Sequence, residues 1–146
     1  MEVFESFSRI DTADLGRRLG LEAFPGEVLA LMGDLGVGKT VFTKGFAEGL
    51  GIGETVNSPT FTIMQSYHSG RLPLHHFDVY RIGDPEEMDE IGYEDCFYGD
   101  GVSLVEWADI IEDLLPPDVV LVRIEKDLER GLDYRRITIE RKGQDR

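Results

Sequence analysis

The 146 residues carry 29 Asp and Glu against 15 Lys and Arg, a net charge of -14 at pH 7. Such a chain repels a phosphate backbone at long range, which argues against direct binding of DNA or RNA and leaves any work on RNA to a partner. The lone Cys96 excludes an intramolecular disulfide and a cysteine-rich zinc site, and the lack of a signal peptide or a bilayer-length apolar run points to a soluble cytoplasmic protein of one domain, residues 1–146, with no membrane partner.

In chain order, residues 2–7 (EVFESF) read as a strand whose buried side is ambiguous, because Val3 and Phe7 share one face and Phe4 the other. Asp11 or Thr12 is placed to cap a helix with Leu15, Leu19 and Ala23 along one apolar stripe. Pro25-Gly26 turns the chain into residues 28–32 (VLALM), an apolar run suited to a buried parallel strand. Gly33-Asp34-Leu35-Gly36-Val37-Gly38-Lys39-Thr40 follows, a full match to the phosphate-loop pattern G-x-x-x-x-G-K-[ST]. Behind it Val41, Phe42, Phe46, Ala47 and Leu50 fall at helical spacing, and Gly49 and Gly51 supply stop signals.

Each fixed position of that loop has its own physical task. The glycines let successive N–H groups point into one anion-sized concavity at a helix N-terminus, where orphan donors and the helix dipole favour negative charge. Lys39 can reach the β- and γ-phosphates, and the Thr40 hydroxyl can ligate a bridging Mg²⁺.

Further along, residues 57–60 (NSPT) are a loop, residues 61–67 are strand-like, His68-Ser69-Gly70 is a turn, and residues 72–79 form the returning strand. Asp84-Pro85 followed by Glu86 and Glu87 has the arrangement of a helix start. Residues 102–106 are a second apolar run, residues 108–115 a short helix stopped by Pro116-Pro117, and residues 119–125 and 134–140 a terminal hairpin joined by a charged loop containing Gly131. Strands alternating with helices predict an α/β fold, a P-loop NTPase-like domain with a mostly parallel central sheet, helices on its faces and a C-terminal β-hairpin.

A phosphate loop needs a second acid for Mg²⁺ and a group that positions the attacking water. Asp78 and Glu106 both close apolar runs, which would bring them to the sheet edge that holds the loop. Thr60 lies where a switch segment reaches back to a γ-phosphate, and Trp107, the only tryptophan, can stack on a base or pack against the loop. His75 and His76 are adjacent, so in a strand they face opposite ways and cannot chelate one metal; both read as structural. No N-K-x-D motif reads guanine, which favours ATP over GTP, and Asp89-Glu90-Ile91-Gly92 matches D-x-x-G only by coincidence within an acidic helical stretch. A small-molecule kinase would need an arginine-rich lid, whereas Arg130, Arg135 and Arg136 gather near the C-terminus. A nucleotide-gated binding module without useful catalysis is the other alternative.

GDLGVGKT, SPTF at residues 58–61, HFDVYR at residues 76–81 and VEW at residues 105–107 occur in the order and spacing of the TsaE (YjeE) family, which the chain resembles over nearly its whole length. The resemblance implies a P-loop α/β domain that binds ATP and Mg²⁺, hydrolyses ATP weakly alone, and acts with the TsaB–TsaD complex in making threonylcarbamoyladenosine at adenosine 37 of tRNA, which it meets only indirectly. It implies that the loop residues Gly33, Asp34, Leu35, Gly36, Val37, Gly38, Lys39, Thr40 and Val41 hold the nucleotide, and that Thr40, Asp78 and Glu106 surround the metal. Lys39, Asp78, Glu106 and Thr60 would be catalytic, Trp107 an active-site neighbour, and Arg9, Thr12 and Gly131 flank the base. Two departures are small: Val41 stands where many members have a second hydroxyl, and Ala108 where Pro is frequent.

Overall fold

The computed structural model describes residues 1–34, 36–57 and 63–142. Leu35 and Thr60, both expected at the site from the sequence, therefore lie outside the described residues. Seven strands form one sheet in the order β1-β7-β6-β2-β5-β4-β3, comprising β1 (Glu2–Ser6), β2 (Val28–Met32), β3 (Met64–Tyr67), β4 (Leu74–Asp78), β5 (Val102–Glu106), β6 (Val120–Lys126) and β7 (Arg135–Arg141). The four central strands, β6, β2, β5 and β4, run parallel, and the antiparallel pairs β3–β4, β6–β7 and β1–β7 flank them. The mostly parallel reading holds for the centre, and the predicted C-terminal hairpin and the returning strand account for the antiparallel margins, to which β1 adds on β7.

β2 and β5 are buried along their whole length. The apolar run of β2, and that of β5 interrupted by Ser103 before its closing Glu106, are what a strand covered on both faces requires. One face carries Leu29, Leu31, Leu74, Leu104, Val122 and Ile137 beneath the helices α1 (Arg9–Glu22) and α2 (Lys39–Gly49). The other carries Val28, Ala30, Phe77 and Val105 beneath the short helices α3 (Glu87–Glu90) and α4 (Tyr93–Phe97) and a 3₁₀ segment, Ala108–Leu114. In β1 the ambiguity resolves toward Phe4, which packs on the first of these cores while Val3 and Phe7 stay exposed.

Helix α1 begins earlier than expected and is capped by Ser8, not by Asp11 or Thr12. The Ser8 hydroxyl accepts from the Asp11 amide at 3.2 Å, and the Asp11 carboxylate accepts from the Phe7 amide at 2.9 Å. The pair is a variant of the capping box, in which the acid three residues into the helix reaches the amide before the cap instead of the cap's own amide. Thr12 is freed from capping, and its buried hydroxyl bonds that of Ser6 at 2.7 Å. Leu15, Leu19 and Ala23 are buried as the stripe predicted.

α1 and α2 pack through glycine. A methyl group added at Gly20 would lie 2.2 Å from the Phe46 carbonyl oxygen, one at Gly16 2.4 Å from that of Phe42, one at Gly45 2.2 Å from that of Ala13, and one at Gly49 2.2 Å from that of Arg17. Residue numbers rise together along both helices in these contacts, so the helices cross in the same sense and their N-termini lie side by side. That crossing brings Ser8, Arg9 and Thr12 next to the phosphate loop. Gly20→Ala is expected to lower stability by about 1–3 kcal/mol, because overpacking against a fixed carbonyl outweighs the gain of about 1 kcal/mol in helix propensity. Urea denaturation of the two proteins checks this.

Glu27, just before β2, is 7% exposed, and its carboxylate pairs with Arg141 at 3.6 Å. Burial pushes its pKa up from 4.5 to about 7, against the pull of the Arg141 guanidinium. Between those values the folded protein holds a proton that the unfolded chain has released, so stability falls as the pH rises through the interval. The loss amounts to about 3 kcal/mol at most. Melting curves from pH 4.5 to pH 8 are expected to show this slope in the wild type and lose most of it in Glu27→Gln.

Candidate nucleotide site

The phosphate loop leaves the carboxyl end of β2 and enters α2 through Gly38, which sits in the left-handed region at φ 106°, ψ 23° and places no side-chain cap on the helix. The first-turn N–H groups of α2 thus stay available to an anion, as at other helix N-termini that bind phosphate. Gly33 is needed for a different reason: a methyl group there would fall 2.6 Å from the Ile124 carbonyl oxygen of β6. The loop can therefore lie close against the neighbouring strand only with glycine at this position.

A cleft of about 480 Å³ opens over this helix end. Its floor holds Gly36, Val37, Gly38, Lys39, Thr40 and Val41; Asp78, Glu106 and Trp107 form one wall, and Ser8, Arg9 and Thr12 of the α1 start form another. Asp133 and Arg135 complete it from the hairpin. The structure therefore assembles Arg9, Thr12, most of the loop, Asp78, Glu106 and Trp107, as the sequence predicts. Gly33 and Asp34 do not line the cleft, although the Gly33 carbonyl accepts from Lys39 Nζ at 2.6 Å. Gly131 does not line it either. It stands exposed at the end of the 3₁₀ turn Leu128–Arg130 with φ 122°, a backbone role, and the hairpin reaches the cleft two and four residues later.

Asp78 and Glu106 close adjacent parallel strands and are register partners; Glu106 also pairs with Leu31 of β2. Parallel pairing of strands that each end in an acid is what brings the two carboxylates beside the loop. Asp78 is half-buried, and its Oδ1 accepts from the Tyr80 amide at 3.1 Å. Burial raises its pKa, with the Glu106 charge adding to the effect and the Tyr80 amide, His76 and Lys39 opposing it. Glu106 is 3% exposed, and its Oε2 lies 2.5 Å from His76 Nε2. Buried charges need such partners.

Lys39 is 6% exposed, and burial lowers its pKa against the pull of Glu106, Asp78, Asp109 and Asp34. Its ammonium lies 3.3 Å from the centre of the Trp107 ring, a cation–π contact. Trp107 is the one non-glycine residue in the left-handed region among the described residues, at φ 61°. For a bulky side chain that conformation costs on the order of 1–2 kcal/mol. It turns the ring toward Lys39 and onto Tyr80, whose ring centre lies 4.7 Å away.

Arg135 was grouped by sequence with Arg130 and Arg136, and the three part company in the fold. Arg130 pairs with Glu5 at 2.8 Å and Arg136 with Asp127 at 3.6 Å. Arg135 instead donates to the carbonyls of Val37 at 2.8 Å and Gly36 at 3.5 Å from one side of its guanidinium, and to those of Leu132 and Tyr134 from the other. It fastens the hairpin to the phosphate loop and holds loop carbonyls outward while the amides face in. The signal was its parity: Arg135 shares a strand face with Ile137 and Ile139, both buried, so an alternating pattern already set a guanidinium on the core side.

The fold and this cleft define a P-loop α/β protein, with its loop at the carboxyl ends of parallel strands, where open sheets of this kind hold ligands. Residues 7–137 match the family model described as "Threonylcarbamoyl adenosine biosynthesis protein TsaE". The chain is 51% identical over 128 residues to the tRNA threonylcarbamoyladenosine biosynthesis protein TsaE of Bacillus subtilis, covering 88% of this chain and 78% of that protein. It is 44% identical over 119 residues to the protein of that name from Treponema pallidum, covering 82% of this chain and 87% of the relative. The crystal structure of Bacillus subtilis YdiB superposes with a TM-score of 0.84 at 42% identity, covering 97% of this chain and 86% of that one. The chain belongs to the TsaE family.

Proposed function

We propose that this protein is a Mg²⁺-dependent ATPase of low intrinsic rate that docks on a TsaB–TsaD complex in the cytoplasm and supports threonylcarbamoylation of adenosine 37 in tRNA. The observation that carries the ATPase half is the convergence of Lys39, Thr40, Asp78 and Glu106 on one cleft at an uncapped helix N-terminus. The family and the names of its relatives carry the tRNA half. A net charge of -14 suits an indirect route to tRNA through partner proteins.

The residues fit a triphosphate with a divalent cation. Lys39, drawn below its ordinary pKa by burial, gains most from an incoming polyanion. Among the described residues no three His, Cys, Asp or Glu side chains converge to cage a metal. That suits Mg²⁺, which keeps waters and shares its shell between one or two carboxylates and substrate phosphates. Thr40 and Asp78 are the groups placed to hold it, and bound there it would neutralise charge on the transferred phosphoryl group. Glu106, the more deeply buried of the two acids, would orient the attacking water. Ser8, Arg9, Thr12, Val41 and Asp133 flank the space left for the base.

A metabolite kinase finds less support. Arg130 and Arg136 pair with Glu5 and Asp127, and Arg135 donates to four backbone carbonyls, so the hairpin arginines are turned to holding the hairpin and the loop in place and not gathered as a clamp for a transferred phosphate. The experiment is ATP hydrolysis by the purified chain alone, with TsaB and TsaD, and with both plus tRNA. Slow turnover that rises on adding the partners supports the proposal; a rate that never exceeds that of the partners alone, or phosphate transfer to an added metabolite, overturns it. A single-turnover assay separates docking without phosphate release, which would favour a gated binding module.

A further inference from the structure

We propose that His76 is a positioning residue for hydrolysis, holding one carboxylate oxygen of Glu106 so that the other is presented to the cleft. The inference rests on the ATPase reading above and assigns a task to a histidine that the sequence pattern marks only as structural.

The placement follows from the sheet. His76 and Asp78 are alternate residues of β4, Leu104 and Glu106 alternate residues of β5, and the register pairs His76 with Leu104 and Asp78 with Glu106. All four lie on the α2 face, and His76 sits one step deeper than Glu106. Its Nε2 is 2.5 Å from Glu106 Oε2, with both side chains at least nine-tenths buried. Facing a carboxylate, Nε2 carries the proton and donates it.

The other ring nitrogen decides between a packing role and a positioning role. Among the described residues His76 Nδ1 is buried and has no hydrogen-bond partner. An orphaned buried polar atom costs about 1–3 kcal/mol, so as a core residue between Leu74 and Leu104 this histidine is inferior to a leucine. The charge-assisted bond to Glu106 offsets this cost. That contact also fixes what Glu106 can do. A carboxylate free to rotate would offer either oxygen or both; with Oε2 taken, only Oε1 is available to the cleft. The half-buried Asp78, whose Oδ1 takes a backbone amide, has no such restraint from a second side chain.

The test uses full-length protein with MgATP, with its partner proteins for turnover and without them for binding. His76→Leu is expected to lower kcat about 10–100-fold, the usual cost of removing a group that orients a catalytic ligand, with KM and MgATP affinity held within about three-fold. His76→Gln, whose amide nitrogen can reach the Nε2 position, is expected to keep kcat within about three-fold of wild type. In a Glu106→Gln background, His76→Leu should add nothing, since the two act as one unit. Unchanged kcat in His76→Leu, an additive loss in the double variant, or equal losses in the Leu and Gln variants would each overturn the proposal. A further readout does not depend on turnover or on His76→Leu folding: ¹⁵N-histidine-labelled wild type should show a slowly exchanging imidazole N–H assigned to His76 that is lost in Glu106→Leu. Its absence in the wild type overturns the pairing. Its presence in a protein that never hydrolyses ATP would leave the pairing intact and sink the ATPase reading alone.

Discussion

Glu106→Gln is expected to lower partner-stimulated ATP hydrolysis about 10²–10⁴-fold while MgATP affinity stays within about three-fold, the signature of a group that acts on the water in the transition state. The expectation comes from where the strand ends. Glu106 is a buried acid closing a mostly apolar strand, beside the loop and held by His76. Glutamine keeps its volume and hydrogen-bonding reach, so the phosphate loop has no reason to move. Single-turnover hydrolysis and equilibrium titration on the same preparation separate the two effects. Loss of binding in step with loss of rate would make Glu106 a ligand-holding group instead.

Lys39→Ala is expected to act at the earlier step and weaken MgATP binding by about 100-fold or more, since a charge-assisted contact to phosphate in a partly desolvated cleft is worth about 1.5–3 kcal/mol or more. The lysine is prepared for this contact. Burial disfavours its charge, Trp107 and the Gly33 carbonyl hold its ammonium in the cleft, and Asp78 and Glu106 keep the region acidic enough to retain the proton. Without Lys39 those two acids would face the phosphates uncompensated. The folded protein should survive the change, because the helix packing that holds α2 runs through Gly16, Gly20, Gly45 and Gly49 on a different side.

Much of this was legible in the chain because local patterns and tertiary demands agree. The run at residues 28–32 is apolar throughout and that at residues 102–106 is interrupted only by Ser103 before it closes in Glu106, and only a strand covered on both faces makes use of that. The loop motif fixed where α2 begins, and acids closing two such runs fixed which residues join the loop. What escaped were contacts between residues far apart in sequence. Nothing in Glu2 or Ile139 announces that β1 pairs with β7, yet that pairing brings the start of α1 to the cleft. The N-cap at Ser8 was missed because Asp11 and Thr12 also suit a cap, and the decision went to the residue whose backbone is extended. The family resemblance implies a base-flanking role around Gly131; the structure brings the nearby Asp133 and Arg135 to the cleft, with Gly131 in the turn before them. His76 and Arg135 were readable in principle, since each shares parity with buried aliphatic neighbours on its strand. A polar residue on an apolar face was there to be asked about.

The most direct measurement is equilibrium titration of the purified protein with ATP in the presence and absence of Mg²⁺, followed by the fluorescence of Trp107, the only tryptophan, which stands against Lys39 at the mouth of the loop. One saturable site, strengthened by Mg²⁺, giving a Trp107 signal in the wild type and none over the same range in Lys39→Ala, is the expected result. No saturation in the wild type, with neither fluorescence nor a labelled nucleotide registering association, would contradict the assignment of this cleft to ATP.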